Sequence, residues 1–454
     1  MRHNRLFRTP VPPILAILLV ALLGPWHPLP AGDGDLDPSW GGDGISASFG
    51  SSVPRASGVA PDQRLYFTGN TTLPDDSEFE WWRDGNSGGG SWEGCSWGLA
   101  LLDNFDIREV LFDSADRLLY AGTMTVFGTE TVARAFVARF ETFDGGDSCN
   151  LDDTFSGAGW AYFDDAPYCD TEDCRLLDIE ESRDATTKYI ALLERVTGVV
   201  TADYFLIGLT GAGALDANFG IDGLAYVPAP EFALTGGGAD LVVDSQNRAY
   251  VHLSFYDPDA SGDLDTVLAR FASDGDLDPT FPGGGLMLID TGDALDSVSG
   301  ALAIGSDGRV GVAALRLDGD SSFVRVFDPT FALSAQTTVS SADVGALAFD
   351  GLGRLLYGWD SAVGDGAGLG RLLVEFGVGL DSDDTFGQGG SRFFDIDGGG
   401  ANGESPVDIE TPGGQPMILV EADQASSGSQ AYLVRLENSL VFADGFEWGS
   451  TKFW

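Results

Sequence analysis

The sequence predicts an all-β protein, a β-propeller of seven four-stranded blades whose ring is closed by a strand from the N-terminal part of the chain. Three observations predict this fold. A pair of apolar strands joined by a polar turn recurs at intervals of roughly 60 residues. No segment shows the spacing of apolar residues that an amphipathic helix requires. The 63 glycines and 20 prolines among 454 residues fit many tight turns.

Hairpins of two apolar strands define the repeat. The pattern is clearest in REVLFDSADRLLYAG (108–122), and it recurs at 56–69, 176–193, 239–255, 300–315, 345–359 and 408–423. The corresponding turn positions of the seven copies are Arg64, Arg117, Lys188, Arg248, Arg309, Arg354 and Pro416.

Two further strands complete each repeat. The third is a short apolar segment such as AFVARF (135–140) or TVLARF (266–271), and a Leu-Asp-x-x-Phe loop often leads into the fourth, as in LDANFGIDGLAYV (215–227). We expect the loop aspartate to cap its own turn, the leucine and phenylalanine to fill the space between sheets, and the glycines to adopt positive φ. Such sheets bury both faces when they pack radially.

The stretch DLDPSWGGDGISASF (35–49) has the pattern of a repeat's end, yet it precedes every complete repeat. The seventh repeat ends in ENSLVFADGFEWG and lacks the full pattern. We therefore expect 35–49 to complete the seventh blade, which hides two open sheet edges. In the alternative, Asp444-Gly445-Phe446 replaces the pattern and 35–49 is an extra strand.

The repeated combination of GRLLY, ARF and DGDLDPTF resembles the delta-60 repeat proteins, which are large secreted bacterial chains. The likeness covers most of the chain and is most specific at 151–160, 215–224 and 277–285. It implies propeller-like blades and an exported location, and it implies no catalytic residues. The ending FADGFEWG (442–449) also resembles a C-terminal element of some exported Gram-negative proteins.

The chain divides into a signal peptide at 1–31, the propeller at 32–439 and a C-terminal tail at 440–454. Arg2, Arg5 and Arg8 precede an apolar stretch at 11–24, which is the pattern of a secretory signal. No later apolar run approaches the roughly 20 residues of a membrane helix. After cleavage we expect a monomer that is secreted, periplasmic or on the cell surface.

The charge of the chain excludes one class of partner. The formal net charge is −46, and residues 1–31 contain three arginines and no acid, so their removal makes the protein more acidic still. Such a surface repels phosphate backbones, so nucleic acid is not expected as a partner. A hydrophobic content of 43% argues for a globular protein rather than a disordered one.

Catalytic side chains are scarce outside the acids. His252 is the only histidine after residue 31, which excludes a zinc cluster built on histidines. It lies within the apolar strand AYVHLSF, where we expect a hydrogen-bonded interior histidine rather than a member of a catalytic triad. Carboxylate pairs for sugar hydrolysis stay open, because 70 acids offer many pairs.

The segment DPDASGDLDTVL (257–268) has the ligand spacing of a calcium loop. Asp257, Asp259 and Ser261 occupy alternate positions before Gly262, and calcium prefers hard oxygen ligands. The twelfth position is Leu268 instead of glutamate, and no helix flanks the loop. The alternative is a solvated acidic turn between the second and third strands of the repeat.

A long insertion in the first repeat, at 73–97, concentrates aromatic residues, which are Trp81, Trp82, Trp92 and Trp97. We expect this insertion to be a loop between the second and third strands. Its tryptophans are candidates for stacking on sugar rings or anchoring a protein partner. The alternative is a loop whose aromatic side chains cover the propeller face.

Four cysteines in an exported chain suggest disulfide bonds. Cys169 and Cys174 lie close together in CDTEDC and are expected to pair. That leaves Cys95 and Cys149, although strand alternation puts these two on opposite faces of a propeller. Cys95 could instead meet the loop at 169–174.

These observations favour an extracellular binding or scaffold propeller for a protein or a glycan. The alternative function is a secreted glycan-active enzyme that uses carboxylates. A carboxylate pair about 5–10 Å apart beside tryptophans would favour the enzyme, whereas an acidic funnel without such a pair would favour binding.

Overall fold

In the computed structural model the protein is built from β-strands. The structure describes residues 36–37, 45, 52–59, 65–71, 79–83, 93–97, 105–126, 132–141, 150–163, 169, 173–198, 201–228, 232–234, 238–257, 263–289, 297–316, 321–340, 342–361, 366–375, 379–394, 396, 404–411, 415–424 and 428–437. Among these residues no helix is long and apolar enough to cross a membrane.

The first two sheets are antiparallel meanders in which consecutive strands pair. One contains β1 to β4, which are Ser52–Val59, Leu65–Thr71, Phe79–Arg83 and Glu93–Trp97. The other contains β5 to β8, which are Phe105–Phe112, Leu118–Val126, Val132–Arg139 and Trp160–Phe163.

A nine-stranded sheet follows. Its strands β9 to β13 are Cys174–Glu181, Tyr189–Val196, Thr201–Leu209, Leu224–Val227 and Phe232–Leu234. Its strands β14 to β17 are Ala239–Val243, Ala249–Asp257, Asp263–Phe271 and Leu286–Ile289, with a short 3-10 helix at Pro282–Gly284. The three-residue strand β13 pairs with both β11 and β15, so it joins two four-stranded units into one sheet.

Three more sheets complete the described fold. Strands β18 to β21 are Ser297–Ile304, Val310–Arg316, Ser321–Phe327 and Leu333–Ser340. Strands β22 to β26 are Ala342–Phe349, Leu355–Ser361, Ala367–Glu375, Gly379–Ser382 and Ser391–Phe394, and both β25 and β26 pair with β24. Strands β27 to β29 are Glu404–Glu410, Met417–Gln424 and Gly428–Arg435.

The prediction of an all-β propeller is confirmed, but the blade count is not. The described strands form six hydrogen-bonded sheets instead of seven, because β13 fuses the units β9–β12 and β14–β17. The apolar core lies between neighbouring sheets. For example, Val137 and Phe155 of one sheet pack with Leu193 and Ile207 of the next, and all four are almost fully buried.

The N-terminal segment joins the last sheet, as ring closure requires. Leu36 forms an antiparallel bridge with Leu436, and Ile45 forms one with Val434. The Asp37 carboxylate accepts hydrogen bonds from Arg435, with Nε 2.7 Å and Nη2 2.6 Å from Oδ2. The ring-closure prediction is therefore confirmed. The alternative at Asp444-Gly445-Phe446 lies outside the described residues.

The hairpin turn of the repeat is held by an aspartate and an arginine. Asp113 Oδ1 accepts from the backbone nitrogens of Ala115 and Arg117, at 2.9 and 3.0 Å, and Oδ2 accepts from Arg117 Nε at 2.8 Å. Asp244 with Arg248 and Asp350 with Arg354 repeat this arrangement. The recurrent basic residue of the turn thus neutralises the aspartate that caps it.

The Leu-Asp-x-x-Phe loop has the predicted capping role and an additional one. Asp152 Oδ1 accepts from Thr154 N at 2.9 Å, while Oδ2 accepts from Arg139 Nε at 2.9 Å. The guanidinium of Arg139 lies 4.8 Å from the ring centre of the fully buried Phe155. The sets around Arg270 and Arg371 are equivalent. Each loop is therefore fixed to the third strand by a buried ion pair.

The glycine before the fourth strand is required by geometry. Gly159 has a φ of 82°, and a Cβ atom there would lie 2.3 Å from Leu151 Cβ. Gly223 and Gly285 also have positive φ, and at each a Cβ atom would crowd the leucine of its own loop, Leu215 or Leu277. The leucine fills space less completely than expected, because Leu215 is 42% exposed.

Candidate functional site

A central channel with a volume of about 880 Å³ is lined by described residues. The first strand of every repeat contributes to its wall, and these strands are β1, β5, β9, β14, β18, β22 and β27. The inner strands therefore decide what the channel can bind.

Acidic side chains from four inner strands line one part of this channel. Four of them occupy the same position of the repeat, as REVL, LDIE, ADLV and VDIE show when aligned, and these are Glu109, Asp178, Asp240 and Asp408. Glu180 and Glu410 lie two residues further along β9 and β27. Residues two apart in a strand point to the same face, so the acids form two layers.

Three of these carboxylates connect one inner strand to the next. Asp178 Oδ2 accepts from Leu241 N at 2.8 Å, and Asp240 Oδ2 accepts from Leu302 N at 2.7 Å. Asp408 Oδ2 accepts from the backbone nitrogen and the hydroxyl of Ser57, at 3.0 and 2.8 Å. The last of these contacts joins the seventh repeat to the first, which is a second closure of the ring.

Burial raises the pKa of the six acids in these two layers. Withdrawal from water raises the pKa of Asp178 to about 6, although hydrogen bonds from Asp240 and Leu241 oppose the shift. Burial and the charges of Asp178 and Asp408 raise the pKa of Glu109 well above its usual value. Burial is also the largest cause for Glu180, Asp240, Asp408 and Glu410. The channel thus holds protons more tightly than exposed acids do.

The opposite part of the wall is uncharged. Strands β18 and β22 line it with Ala301, Ala303, Ala346 and Ala348 and with the larger Leu302, Ile304, Leu347 and Phe349. Gly300 precedes them, and a Cβ atom there would lie 2.7 Å from Val344 O, so the inner strands approach each other closely. The channel is therefore acidic on one side and apolar on the other.

Two arginines lie at one end of the channel. Arg108 directly precedes Glu109 at the bulge of β5, and Arg55 lies at the corresponding bulge of β1. Both form ion pairs with Asp106, with nitrogen–oxygen distances of 3.5 and 2.6 Å. Their charge is therefore shared with Asp106 rather than with the acidic layers.

The prediction that residues 73–97 form a loop is wrong for part of this insertion. Trp81 and Trp82 lie in β3, and Trp97 ends β4, so two segments of the insertion are strands of the first sheet. The insertion was expected to be a loop because it joins the second and third strands of the repeat, whereas β3 pairs with β2 and with β4. Trp92 lies outside the described residues, and the role of all four stays a prediction.

Of the three predicted calcium ligands, Asp257 lies among the described residues. Asp257 ends β15, and the turn to β16 joins the second and third strands of its unit, as expected. Asp259 and Ser261 lie outside the described residues. Within the described part of the chain, no group of three or more His, Cys, Asp or Glu side chains is arranged to hold a metal ion.

The cysteine prediction is confirmed for one pair. Cys169 and Cys174 form a disulfide with a Cα–Cα distance of 5.6 Å. Cys95 lies in β4 and Cys149 falls outside the described residues, so their pairing stays open.

His252 is interior, as predicted, but it is not satisfied. It is fully buried in β15, and among the described residues neither ring nitrogen has a hydrogen-bond partner. Burial lowers its pKa to about 3, so the imidazole is neutral. The apolar strand around it gave no sign of the missing partners.

Comparison with known proteins supports the fold and nothing finer. No protein-family model and no curated sequence matches this chain. A solved ulvan lyase, described as a new family of polysaccharide lyase, is 10% identical with a TM-score of 0.53, covering 86% of this chain and 95% of that one.

Two further solved structures are similar. The ulvan lyase bound to -[GlcA(1-4)Rha3S]- is also 10% identical, with a TM-score of 0.52 and the same coverage of both chains. The Dos1 propeller is 11% identical over 86% of this chain and 94% of its own, with a TM-score of 0.46. At such low identity the likeness to the lyase concerns the fold alone.

Proposed function

We propose that this chain is an exported binding or scaffold module, and that its central channel accepts a cationic segment of an extracellular protein. The observation that carries the proposal is the acidic half of an 880 Å³ channel facing an apolar half. Lysine and arginine have a charged end on an apolar stem, so one side chain can contact both halves. The negative field of the channel would also accelerate the approach of such a segment.

The export and the delta-60 repeat assignment belong to the same proposal. The Cys169–Cys174 disulfide supports export, because disulfides persist in oxidising compartments. The recurrence of one Arg, Asp and Phe arrangement in separate repeats supports a common repeat ancestor.

Two observations favour binding over glycan chemistry. Asp178, Asp240 and Asp408 already accept backbone hydrogen bonds from neighbouring strands, so they serve the fold. Among the described residues that line the channel there is no tryptophan on which a sugar could stack. An anionic glycan such as the one bound to the similar lyase would in addition be repelled by this channel.

One observation favours the alternative, a glycan-active enzyme. The pKa of Asp178 is raised to about 6, and a general acid in glycoside hydrolysis needs a raised pKa. If this is its role, the mature chain should cleave neutral oligosaccharides and Asp178→Asn should abolish the cleavage. No release of reducing sugar from a panel of neutral glycans would dismiss this function.

The binding proposal is tested with a fluorescent oligolysine peptide and the mature chain. Glu180→Gln with Glu410→Gln removes the second acidic layer, whose two acids lie outside the inter-strand contacts, and we expect Kd to rise about tenfold or more, equivalent to about 1.4 kcal/mol. Asp153→Asn with Asp276→Asn is the control, because both residues are exposed and lie outside the channel. Equal weakening by both double variants would show that only net charge matters.

A further inference from the structure

We propose that Asp178 and Asp240 share one proton and thereby form a latch between consecutive inner strands, and that this latch weakens when the proton leaves. Leu241 N donates to Asp178 Oδ2 at 2.8 Å and to Asp240 Oδ1 at 2.9 Å. One backbone amide thus donates to an oxygen of each carboxyl group, so the two carboxyls lie side by side. Because a carboxylate has no donor, a hydrogen bond between them requires a proton on one of them.

The position of Asp240 makes this bond a connection between repeats. Its second oxygen accepts from Leu302 N at 2.7 Å, so Asp240 contacts β18 while its first oxygen shares the Leu241 amide with Asp178 of β9. Three inner strands are therefore joined through one pair of carboxyl groups. Loss of the shared proton would replace an attractive contact by repulsion between two anions held at hydrogen-bonding distance.

The surroundings of the pair supply negative charge rather than positive charge. Glu109 of β5, Glu180 of β9, both Asp408 and Glu410 of β27, and Glu421 of β28 share the channel, whereas β18 and β22 contribute only uncharged residues to its described lining. Arg55 and Arg108 are the basic residues of the described lining, and both are paired with Asp106. His252, directly opposite Asp240 on β15, is neutral above a pKa of about 3. A proton is therefore the positive charge that can neutralise the Asp178 and Asp240 pair.

The direction of the pH effect follows from the raised pKa values. The folded chain holds these protons more tightly than the unfolded chain, in which an aspartate titrates near 3.9. The stability that these protons contribute is complete below about pH 4. It falls as the pH rises through the pKa of about 6 for Asp178, which leaves the pair with the one proton it shares, and it falls further through the pKa of Asp240, which is also raised and whose titration removes the shared proton. Stability should fall between pH 5 and 8.

The test is thermal unfolding of the mature chain at pH values from 5 to 8. We expect the wild-type Tm to fall across this range and the Asp240→Asn variant to show a smaller fall and a higher Tm at pH 8. The amide carbonyl of Asn can still accept from Leu302 N, and the amide nitrogen donates to Asp178 without a shared proton. The control is Asp153→Asn, which removes one exposed charge.

A second variant allows the same test if the first variant does not fold. Asp178→Asn should also reduce the fall in Tm, because its carbonyl can accept from Leu241 N while its amide donates to Asp240. If Asp240→Asn does not fold, this variant decides the question. A wild-type pH slope retained in the folded variant would overturn the latch, as would a Tm that does not fall in the wild type.

The latch rests on the proposed function in one respect only. A cation in the channel would replace the shared proton, so oligolysine binding should release protons and should weaken as the pH falls from 8 to 5. Calorimetry in two buffers with different ionisation enthalpies measures the proton release. Failure of the peptide to bind, with a pH-dependent Tm intact, would overturn the proposed function and leave the latch standing, whereas binding without proton release would count against the latch.

Discussion

Breaking the ion pair between Asp37 and Arg435 should weaken the closure of the ring. The Asp37 side chain is 1% exposed and that of Arg435 is 17% exposed, so the pair is largely withdrawn from water. Removal of one partner of a buried pair costs about 3–5 kcal/mol. For Asp37→Asn we expect the lower end, about 3 kcal/mol, because the amide oxygen still accepts one hydrogen bond.

That magnitude corresponds to a measurable change in melting temperature. With an unfolding entropy of about 2.1 cal/mol/K per residue over about 400 residues, about 3 kcal/mol lowers Tm by about 3–4 °C. The equivalent pair within one continuous segment is Arg371 with Asp383, whose Nη2–Oδ2 distance is 2.7 Å. Asp383→Asn is therefore the matched control, since it breaks the same contact without affecting the N-terminal segment.

Hydrogen exchange distinguishes the two variants. Asp37→Asn should speed amide exchange at the end of β29 and at Leu436, which follows it, because Val434 and Leu436 pair with the N-terminal segment. Asp383→Asn should instead speed exchange in β24 and leave β29 unchanged. If Asp37→Asn changes Tm by less than 1 °C and leaves exchange in β29 as in the wild type, the N-terminal segment does not hold the ring closed.

Two further predictions concern the calcium loop and the tryptophans of the first repeat. If Asp257, Asp259 and Ser261 bind calcium, millimolar calcium should raise Tm, because a ligand that binds the folded state stabilises that state. Asp259→Ala should abolish the rise. Calorimetry that shows no saturable calcium binding would refute the prediction. If Trp81 and Trp82 contact a partner, changing both to alanine should weaken its binding at nearly constant Tm, whereas a lowered Tm with binding retained would assign them to packing.

The contacts that hold the turns and loops of each repeat could largely be predicted from the sequence. The turn arginines and the Leu-Asp-x-x-Phe loops recur at fixed places, and local hydrogen bonds of Asp113 and Asp152 explain both patterns. The ion pair of Arg139 with Asp152 was not predicted, although an arginine recurs in the third strands ARF and VRL. The sequence of an apolar strand does not show which loop packs against its arginine, so burial of the arginine with a neutralising aspartate could not be predicted.

The features that sequence reasoning missed depend on contacts between distant segments. The strand β13 has only three residues, too few for a periodic pattern, and its pairing with two units changes the number of sheets. The channel acids were visible as Glu109, Asp178, Asp240 and Asp408 within apolar strands. Their convergence follows from the ring, which brings inner strands from across the chain to one axis. An acid at one repeat position in an apolar strand was the signal that could have indicated the channel.

The central claim is that the channel binds a cationic segment, and coupling of the bound oligolysine peptide with a carbodiimide tests it most directly. The reagent joins a lysine amine to a carboxyl group in contact with it, and mass spectrometry identifies the residues joined. We predict linkages to Glu180 or Glu410, and their loss in the Glu180→Gln, Glu410→Gln variant. Linkages confined to exposed acids such as Asp153 and Asp276 would contradict the claim.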